Sequence, residues 1–325
     1  MEKMNVAVIG VGYWGKKIAS EYALMHETDP HVNLLGVCDV FDNNLAFCQE
    51  KFGVPFLAKT PDEIFENPDI DAVHICTPSV THYTICKEAL NHGKHVTVEK
   101  PMTLNSLEAI KLVDLAHEKK LVLSVGHIFR FDASIEKAKT LVESNWFGDM
   151  YWIKLTWTAL MPLMTGRDII TDLAPHPFDI LNFLTNDWPS KVTCVAKAHR
   201  TGQKEETAYI TSEFKSNLMA HIEVSWLHPV KVREVQIMGS DRFAKIDCIN
   251  QKITGYENNS FFDIPVVPSN TMNSELAHFV RCIREGRASS DTFLNKNNGI
   301  VGANVVRLLE LTRKAMENGK TEQVE

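Results

Sequence analysis

The sequence predicts an α/β protein with two domains, in which a parallel sheet covered by helices is followed by an α+β domain with a mostly antiparallel sheet. Three observations support this prediction. The chain has 325 residues, which exceeds the length at which a single hydrophobic core usually stops growing. Short apolar runs alternate with helical patterns in its first part. Apolar and polar residues alternate over long segments in its second part, as in a sheet with one buried and one open face.

The first predicted domain covers residues 1–126. Its strands are unbroken apolar runs, which are typical of a parallel sheet buried on both faces: NVAVIG, VNLLGVCDV, AVHICTP, HVTVEKP and VLSVGH. Helical spacing is found between them in YWGKKIASEYALMHE, NNLAFCQEKFG, PDEIFEN, HYTICKEALNHG and SLEAIKLVDLAHEKK. Asn105, with Glu108 three residues later, predicts an N-terminal capping box for the last of these helices.

The second predicted domain covers residues 127–325. A period of two over long stretches predicts antiparallel strands with one buried face in DMYWIKLTWTAL, KVTCVAKAHR, AYITSEFKSNLMAHIEVSWL and REVQIMGSDRFAKIDCI. Helical spacing returns in SELAHFVRCIREG and in GIVGANVVRLLELTRKAMENG, and Gly319 marks the end of the second helix.

The composition excludes several classes of protein. With 44% hydrophobic and 23% charged residues, the chain resembles an average folded, water-soluble protein. Its formal net charge of -7 argues against a nucleic-acid partner. Apolar runs are too short for the about 20 residues of a membrane span, and the N-terminal run is interrupted by glycines too early for a signal peptide. The seven cysteines never form a CxxC pair, which predicts reduced thiols in a cytoplasmic protein.

A glycine motif follows the first predicted strand. Gly10, Gly12 and Gly15 form G-x-G-x-x-G between the strand NVAVI and the helix KKIASEY, and Tyr13 and Trp14 lie inside the motif. The first glycine permits a tight turn, the second lets the backbone approach a pyrophosphate, and the third lets the helix pack closely on the strand. The motif in this context predicts a dinucleotide site to which all five residues contribute.

The carboxyl ends of the next strands supply further predicted cofactor contacts. Asp39 ends the second strand, where an acid accepts hydrogen bonds from the adenosine ribose and repels a 2′-phosphate, so NAD is favoured over NADP. The alternatives are that Asp39 only begins a turn, or that Asp42, a second acid nearby, has this role. Thr77 and Pro78 end the strand AVHIC, and His82 begins the following helix, where it caps the helix or lines the cofactor cleft.

Glu99 and Lys100 end the strand HVTVEKP, in which a charged pair is unexpected. Because the carboxyl ends of parallel strands border the ligand, these side chains are expected to face the cofactor cleft. A lysine beside a cationic oxidised cofactor should have a lowered pKa, which suits proton exchange with a substrate hydroxyl. Pro101 fixes the backbone that aims Lys100, through either a trans or a cis bond.

In the second domain, RDIITDLAPHPFDILNFL carries the remaining candidate residues. Pro175 and Pro177 fit only near a helix start, so Thr171 or Asp172 is expected to cap the helix. His176 then lies in the first turn, where the helix dipole keeps the imidazole neutral and able to act as a base. Asp172 is expected to orient this imidazole or bind a substrate hydroxyl. These residues offer no third ligand for a metal, so no metal site is predicted.

These residues resemble the glucose-fructose oxidoreductase/inositol dehydrogenase (Gfo/Idh/MocA) family. The resemblance is carried by GVGYWG, by EKP, by the D-x-x-x-H of DLAPH and by GHIFRF, and it covers nearly the whole chain. It implies a Rossmann domain followed by an open-faced antiparallel sheet, through which homo-oligomers, dimers or tetramers, are formed. It also implies hydride transfer between a nicotinamide and a sugar or cyclitol, with catalytic roles for Lys100 and His176 and a supporting role for Asp172.

The stretches SWLHPVKVRE and SELAHFVRCIREGR resemble the nucleotide-sugar branch of this family, including the UDP-N-acetylglucosamine 3-dehydrogenases. Arg130 and Arg233, with Lys231, are either contacts for a substrate diphosphate or carboxylate, or solvated and interface residues. Asp179, one helical turn after His176, is a further candidate substrate contact.

The expected function is oxidation of a secondary hydroxyl of a sugar or nucleotide sugar by NAD, with C3 of a UDP-N-acetylhexosamine favoured. The alternatives are a dehydrogenase of a free sugar or inositol, an NAD-dependent glycosidase that uses transient oxidation, and a non-catalytic cofactor-binding regulator.

Overall fold

The computed structural model describes residues 3–162, 164, 166–200, 204–286 and 295–324. The chain divides into two compact units, of which the first contains the ranges 1–128 and 272–306 and the second contains 129–271 and 307–325. The first segment of the first unit ends at residue 128, two residues beyond the predicted domain boundary at residue 126. The structure differs from the predicted continuous second domain, because a late segment of the chain returns to the first unit.

The first unit contains a parallel sheet of six strands in the order β3-β2-β1-β4-β5-β6. The strands are β1 (Met4–Ile9), β2 (Val32–Cys38), β3 (Phe56–Ala58), β4 (Ala72–Ile75), β5 (His95–Val98) and β6 (Leu123–Val125). The helices between them are α1 (Tyr13–Thr28), α2 (Asp42–Phe52), α3 (Pro61–Phe65), α4 (His82–Asn91) and α5 (Ser106–Lys119). This is the strand order of a Rossmann fold, in which the direction of chain progress reverses between β1 and β4.

The second unit contains a sheet of nine strands in the order β14-β13-β12-β11-β7-β10-β9-β8-β15. Its strands are β7 (Met150–Leu160), β8 (Lys191–Lys197), β9 (Thr207–Glu213), β10 (Met219–Ser225), β11 (Leu227–Gly239), β12 (Phe243–Asp247), β13 (Lys252–Glu257), β14 (Ser260–Ile264) and β15 (Glu322–Gln323). Only the pair β7 and β10 is parallel among the described ladders of this sheet. The prediction of a mostly antiparallel sheet is therefore confirmed.

Five further α-helices and two 3-10 helices, Ser79–Thr81 and Ile128–Phe131, complete the described elements. The α-helices are α6 (Ala133–Glu143), α7 (Ile169–Leu173), α8 (Pro175–Thr185), α9 (Thr271–Arg284) and α10 (Gly299–Asn318). None of the described helices is long and apolar enough to cross a lipid bilayer. All seven cysteines lie in described ranges and are free thiols, as the sequence predicts.

Alternating side chains of the parallel sheet enter two separate hydrophobic cores. Val6 and Val8 of β1 belong to one core, and Ala7 and Ile9 belong to the other. Because both faces are buried, β1 is apolar at nearly every position.

The late helices contribute to these same cores. Leu276 and Phe279 of α9 are buried in the core that contains Val6, and Ala303 and Val306 of α10 are buried in the core that contains Ala7. Burial of these apolar side chains stabilises the returning segment on the first unit. This is the physical reason that residues 272–306 do not belong to the second unit.

The large sheet has one buried face and one open face. In β9 the side chains of Ala208 and Ile210 are buried, whereas Tyr209 and Thr211 are exposed. This alternation follows from the period of two in a strand, in which neighbouring side chains point to opposite faces. The open face that the sequence predicts is therefore present.

Helix α5 begins at a cap that the sequence predicts. The side-chain oxygen of Asn105 accepts a hydrogen bond from the backbone N–H of Glu108 at 3.1 Å. This bond satisfies one of the N–H groups that the first turn of a helix leaves without an intrahelical partner.

We expect Asn105→Ala to lower the free energy of unfolding by about 1 kcal/mol, because the cap is lost. Urea denaturation followed by circular dichroism measures this change. Asn105→Ser is the matched control, since a serine hydroxyl also caps a helix and should preserve most of the stability. Equal losses in both variants would show that the Asn105 side chain stabilises the protein by another route.

Candidate functional site

The glycine turn after β1 has the geometry of a dinucleotide site. Gly10 has a φ of +87°, and a Cβ atom there would lie 2.9 Å from backbone atoms of Cys76 and Thr77. A Cβ on Gly15 would lie 1.9 Å from the carbonyl oxygen of Gly10. These two positions therefore require glycine for the tight turn and for close packing of α1.

Gly12 differs from the other two glycines. Among the described residues, no heavy atom would lie within 4 Å of a Cβ placed at Gly12. It is the N-cap residue of α1, whose first turn carries no acidic side chain. Backbone N–H groups and the helix dipole at such an N-terminus favour an anion. The open space beside Gly12 therefore leaves room for the pyrophosphate of a dinucleotide, and the role of Gly12 in binding it stays a prediction.

Asp39 follows β2 and is 8% exposed. Its Oδ1 accepts a hydrogen bond from the backbone N–H of Phe41 at 2.9 Å, which fixes the carboxylate at the strand end. Asp42, the alternative acid, forms an ion pair of 2.6 Å with Lys59. The geometry thus distinguishes the two acids, since only Asp42 has a cationic partner within the described region. The preference for NAD over NADP stays a prediction.

His82 connects two loops at the carboxyl edge of the parallel sheet. Its Nδ1 lies 2.9 Å from the carbonyl oxygen of Pro101, and its Nε2 lies 2.9 Å from the carbonyl oxygen of Thr77. Burial lowers the pKa of His82, although the backbone bonds partly oppose this shift. A neutral imidazole donates from one nitrogen, so His82 binds one of these carbonyls as a donor. Pro78 lies in the same loop and is exposed to solvent.

Glu99 and Lys100 follow β5, at the same edge. The Lys100-Pro101 peptide bond is cis, which was one of the two forms considered from the sequence. The indole N–H of Trp14 donates to Oε1 of Glu99 at 2.6 Å, while Tyr13 is 80% exposed. The predicted cofactor residues of the first unit are therefore gathered around the glycine turn and the ends of β2, β4 and β5.

The sequence interpretation missed His74, which lies in β4 and is fully buried. Its Nε2 lies 3.6 Å from Oε1 of Glu99. The donor atoms of His74, Cys76 and Glu99 all lie within 4.8 Å of one another. Cys76 directly follows β4, two residues after His74, and a spacing of two in an extended segment places both side chains on one face. This spacing is the sequence signal that would have identified the pair.

In the second unit, two short helices position the predicted catalytic residues. The N-cap of α7 is Asp168, whose Oδ1 accepts from the backbone N–H of Thr171 at 2.8 Å. Arg313 of α10 also binds Asp168 and Thr171 through its guanidinium group. The predicted caps, Thr171 and Asp172, are instead inside α7, because a separate short helix precedes the prolines. This part of the prediction is wrong.

Asp172 is 9% exposed and is held by two residues that the sequence interpretation did not select. The indole N–H of Trp226 donates to Oδ2 of Asp172 at 3.1 Å. Arg167 forms an ion pair with Oδ1 at 3.1 Å, although its own side chain is 46% exposed. Both partners are visible in the sequence only as a tryptophan in SWLHP and an arginine directly before DIITDL.

His176 is the second residue of α8, so its predicted place in the first helical turn is confirmed. The half-buried imidazole packs edge-to-face on Phe129, with 5.1 Å between the ring centroids. Phe129 in turn packs edge-to-face on Trp157, also at 5.1 Å. These aromatic contacts fix the plane of the His176 ring.

The three predicted substrate residues have different surroundings. Arg130 and Asp179 are both buried, and the Arg130 Nε donates to Oδ1 of Asp179 at 2.5 Å. This pairing favours a structural role for both residues. Arg233 is half-buried and donates from Nη1 to the carbonyl oxygens of Thr158, at 2.9 Å, and Val232, at 2.7 Å. Burial lowers the pKa of Arg233 to about 10, against the opposing charge of Asp172.

We expect Gly12→Ala to weaken NAD binding by about tenfold or more, equivalent to about 1.4 kcal/mol, while the melting temperature stays close to that of the native protein. The structure leaves room for the added methyl group, which would occupy the space that fits the pyrophosphate. Isothermal titration calorimetry and thermal melting measure the two effects. The matched variant Gly15→Ala should instead lower the melting temperature, because its Cβ meets backbone. Unaltered NAD binding in a folded Gly12→Ala protein would contradict the assignment.

Comparison with protein families agrees with this geometry. Residues 4–127 match the family described as "Oxidoreductase family, NAD-binding Rossmann fold". Residues 135–244 match the "GFO/IDH/MocA C-terminal domain". Together these two matches cover most of the chain.

Individual relatives belong to the same group of enzymes. The chain is 30% identical over 258 residues to UDP-N-acetylglucosamine 3-dehydrogenase from Acidithiobacillus ferrooxidans, covering 79% of this chain and 78% of the relative. It is 26% identical to myo-inositol 2-dehydrogenase from Thermotoga maritima, covering 68% of each. The solved structure of the Acidithiobacillus ferrooxidans enzyme aligns with a TM-score of 0.86 and 26% identity, covering 98% of this chain and 99% of that structure. The chain therefore belongs to the GFO/IDH/MocA family of oxidoreductases.

Proposed function

We propose that this chain is an NAD-dependent dehydrogenase that oxidises a secondary hydroxyl group of a sugar or nucleotide sugar. The observation that carries the proposal is the position of Lys100, which follows β5 at the sheet edge where the glycine turn leaves space for a dinucleotide. A lysine at this edge suits proton exchange with a ligand bound there.

A nicotinamide cofactor held by the glycine turn and Asp39 would supply the acceptor for the hydride, one hydrogen with two electrons, that leaves the substrate carbon. Lys100 and His176 are assigned to the hydroxyl proton, which has to leave as the carbonyl forms. Asp172 is assigned to orienting His176 or to binding a substrate hydroxyl. Its bonds from Trp226 and Arg167 keep the carboxylate in one orientation.

A UDP-N-acetylhexosamine oxidised at C3 is the favoured substrate. The support is the relative named UDP-N-acetylglucosamine 3-dehydrogenase, which shares 30% identity. Arg167 and Arg233 supply positive charge beside Asp172, and guanidinium groups bind diphosphates well. Inositol or a free sugar is the second candidate, because the chain also resembles a myo-inositol 2-dehydrogenase.

The open face of the large sheet is the proposed contact surface of a homo-oligomer. It exposes the apolar side chains of Val195, Tyr209 and Met219, each by 47% to 61%. Burial of such side chains against a second copy stabilises an assembly.

The free thiols of all seven cysteines favour a cytoplasmic location for the protein.

We expect NADH to form when the native protein and NAD are mixed with a UDP-N-acetylhexosamine, as followed by absorbance across a panel of nucleotide sugars, free sugars and inositols. Lys100→Met should lower turnover by about 100-fold or more, the usual contribution of one proton-transfer group, while NAD binding is retained. Undiminished turnover in this variant would remove Lys100 from the mechanism. If only inositol or free sugars produce NADH, the dehydrogenase assignment stands, but the proposal of a nucleotide-sugar substrate is wrong.

We expect Asp39→Ala to weaken NAD binding by about tenfold, since charge-assisted hydrogen bonds to the ribose are lost. Binding of NADP should fall less or increase, because the 2′-phosphate no longer meets a carboxylate. Titrations with both cofactors measure these changes. Asp42→Ala is the matched control, because that acid is already paired with Lys59. A larger loss in the control would transfer the selective role to Asp42.

A further inference from the structure

Three elements of the first unit enclose the carboxylate of Glu99. Trp14 in the first turn of α1 donates to Oε1 at 2.6 Å, and His74 in β4 places Nε2 at 3.6 Å from the same oxygen. Gly126 follows β6, and a Cβ there would lie 2.9 Å from Oε2. The carboxylate thus lies in a close-fitting site, with 14% of the Glu99 side chain exposed.

The surroundings keep Glu99 ionised. Burial by itself would raise the pKa of Glu99, but the nearby His74 imidazole, the hydrogen bond from Trp14 and the charge of Lys100 outweigh it, so the pKa is lowered. Because an indole N–H can only donate, Trp14 favours the ionised form of the Glu99 carboxyl group, which accepts the hydrogen bond. The hydroxyl of Tyr22 lies 3.5 Å from Nδ1 of His74, the ring nitrogen that does not face Glu99, and helps to fix the imidazole.

A metal ion is the other occupant that His74, Cys76 and Glu99 suggest. Oε1 of Glu99 already accepts a bond from Trp14, whose hydrogen points to the oxygen that a cation would share. Burial, and then the charges of Glu99 and Glu275, raise the pKa of the Cys76 thiol well above its usual range, which opposes a thiolate ligand. The arrangement of His74, Cys76 and Glu99 is therefore better explained as a carboxylate positioned by its neighbours than as a metal site.

Glu99 lies at the strand ends where the cofactor of the proposed function would bind. Glu99 directly precedes Lys100 and follows β5, at the sheet edge that the glycine turn shares. Ligands of open parallel sheets bind at this edge. The ring of a nicotinamide is cationic when oxidised and neutral when reduced, so a fixed negative charge nearby distinguishes the two forms.

We propose that Glu99, positioned by Trp14 and His74, makes the first unit bind the oxidised cofactor in preference to the reduced one. The inference rests on the nicotinamide cofactor of the proposed function and does not depend on the substrate. It assigns Trp14 and His74 as positioning residues, because they act through the Glu99 carboxylate.

The test compares dissociation constants of NAD and NADH, each measured by calorimetric titration without substrate. Glu99→Gln should raise the ratio of the NAD constant to the NADH constant by about tenfold, the scale expected when one partly buried charge is removed. Trp14→Phe keeps the charge but removes the donor, so the ratio should rise by a smaller factor. This second variant preserves the test if Glu99→Gln does not fold.

Asp71→Asn is the matched control. Asp71 directly precedes β4 at the opposite edge of the sheet, where its Oδ2 accepts from the backbone N–H of Asn5 at 2.7 Å. Loss of this charge should leave the ratio unchanged. Equal weakening of NAD and NADH in both Glu99→Gln and Trp14→Phe would overturn the inference alone. Native protein that binds neither form would overturn the nicotinamide assignment together with it.

Discussion

The close approach of α1 to the turn after β1 is the constraint on which the cofactor edge depends. A Cβ at Gly15 would lie 1.9 Å from the carbonyl oxygen of Gly10, so the helix can begin there only because that Cβ is absent. The same approach places Trp14 within 2.6 Å of Glu99. The close packing of Gly15 on Gly10 therefore determines the start of α1 beside Gly12. It also determines the position of Trp14 beside the end of β5, which bears Lys100.

In the second unit, the buried carboxylate of Asp172 is held by partners on both of its oxygens. Asp168 caps α7 and, with Arg313, fixes the start of that helix. Asp172 then lies one turn later, with an indole donor on one oxygen and a guanidinium on the other. A buried carboxylate with a donor on each oxygen is held in one orientation. Such rigidity suits a residue that orients a neighbouring base or binds a hydroxyl group.

Three buried polar residues also lie side by side on neighbouring strands of the parallel sheet. His74 of β4 pairs with Thr97 of β5, which pairs with Ser124 of β6, and each of the three is at most 2% exposed. Asn295 donates from Nδ2 to the hydroxyl of Ser124 at 3.2 Å, so a partner from the late segment satisfies this buried hydroxyl. The returning segment therefore supplies polar contacts as well as apolar packing to the first unit.

The sequence by itself determined the two classes of sheet, the glycine turn and the residues at the strand ends. These are local patterns of period, turn chemistry and chain direction, and they need no knowledge of distant contacts. Only the tertiary structure decided that 272–306 joins the first unit, that Thr171 and Asp172 lie inside a separate helix capped by Asp168, and that Arg130 and Asp179 pair. It also revealed His74, Trp226 and Arg167 as partners of the key carboxylates. These partners lie from 5 to 54 positions away along the chain, and pairing over such varied separations is set by packing and not by any local pattern.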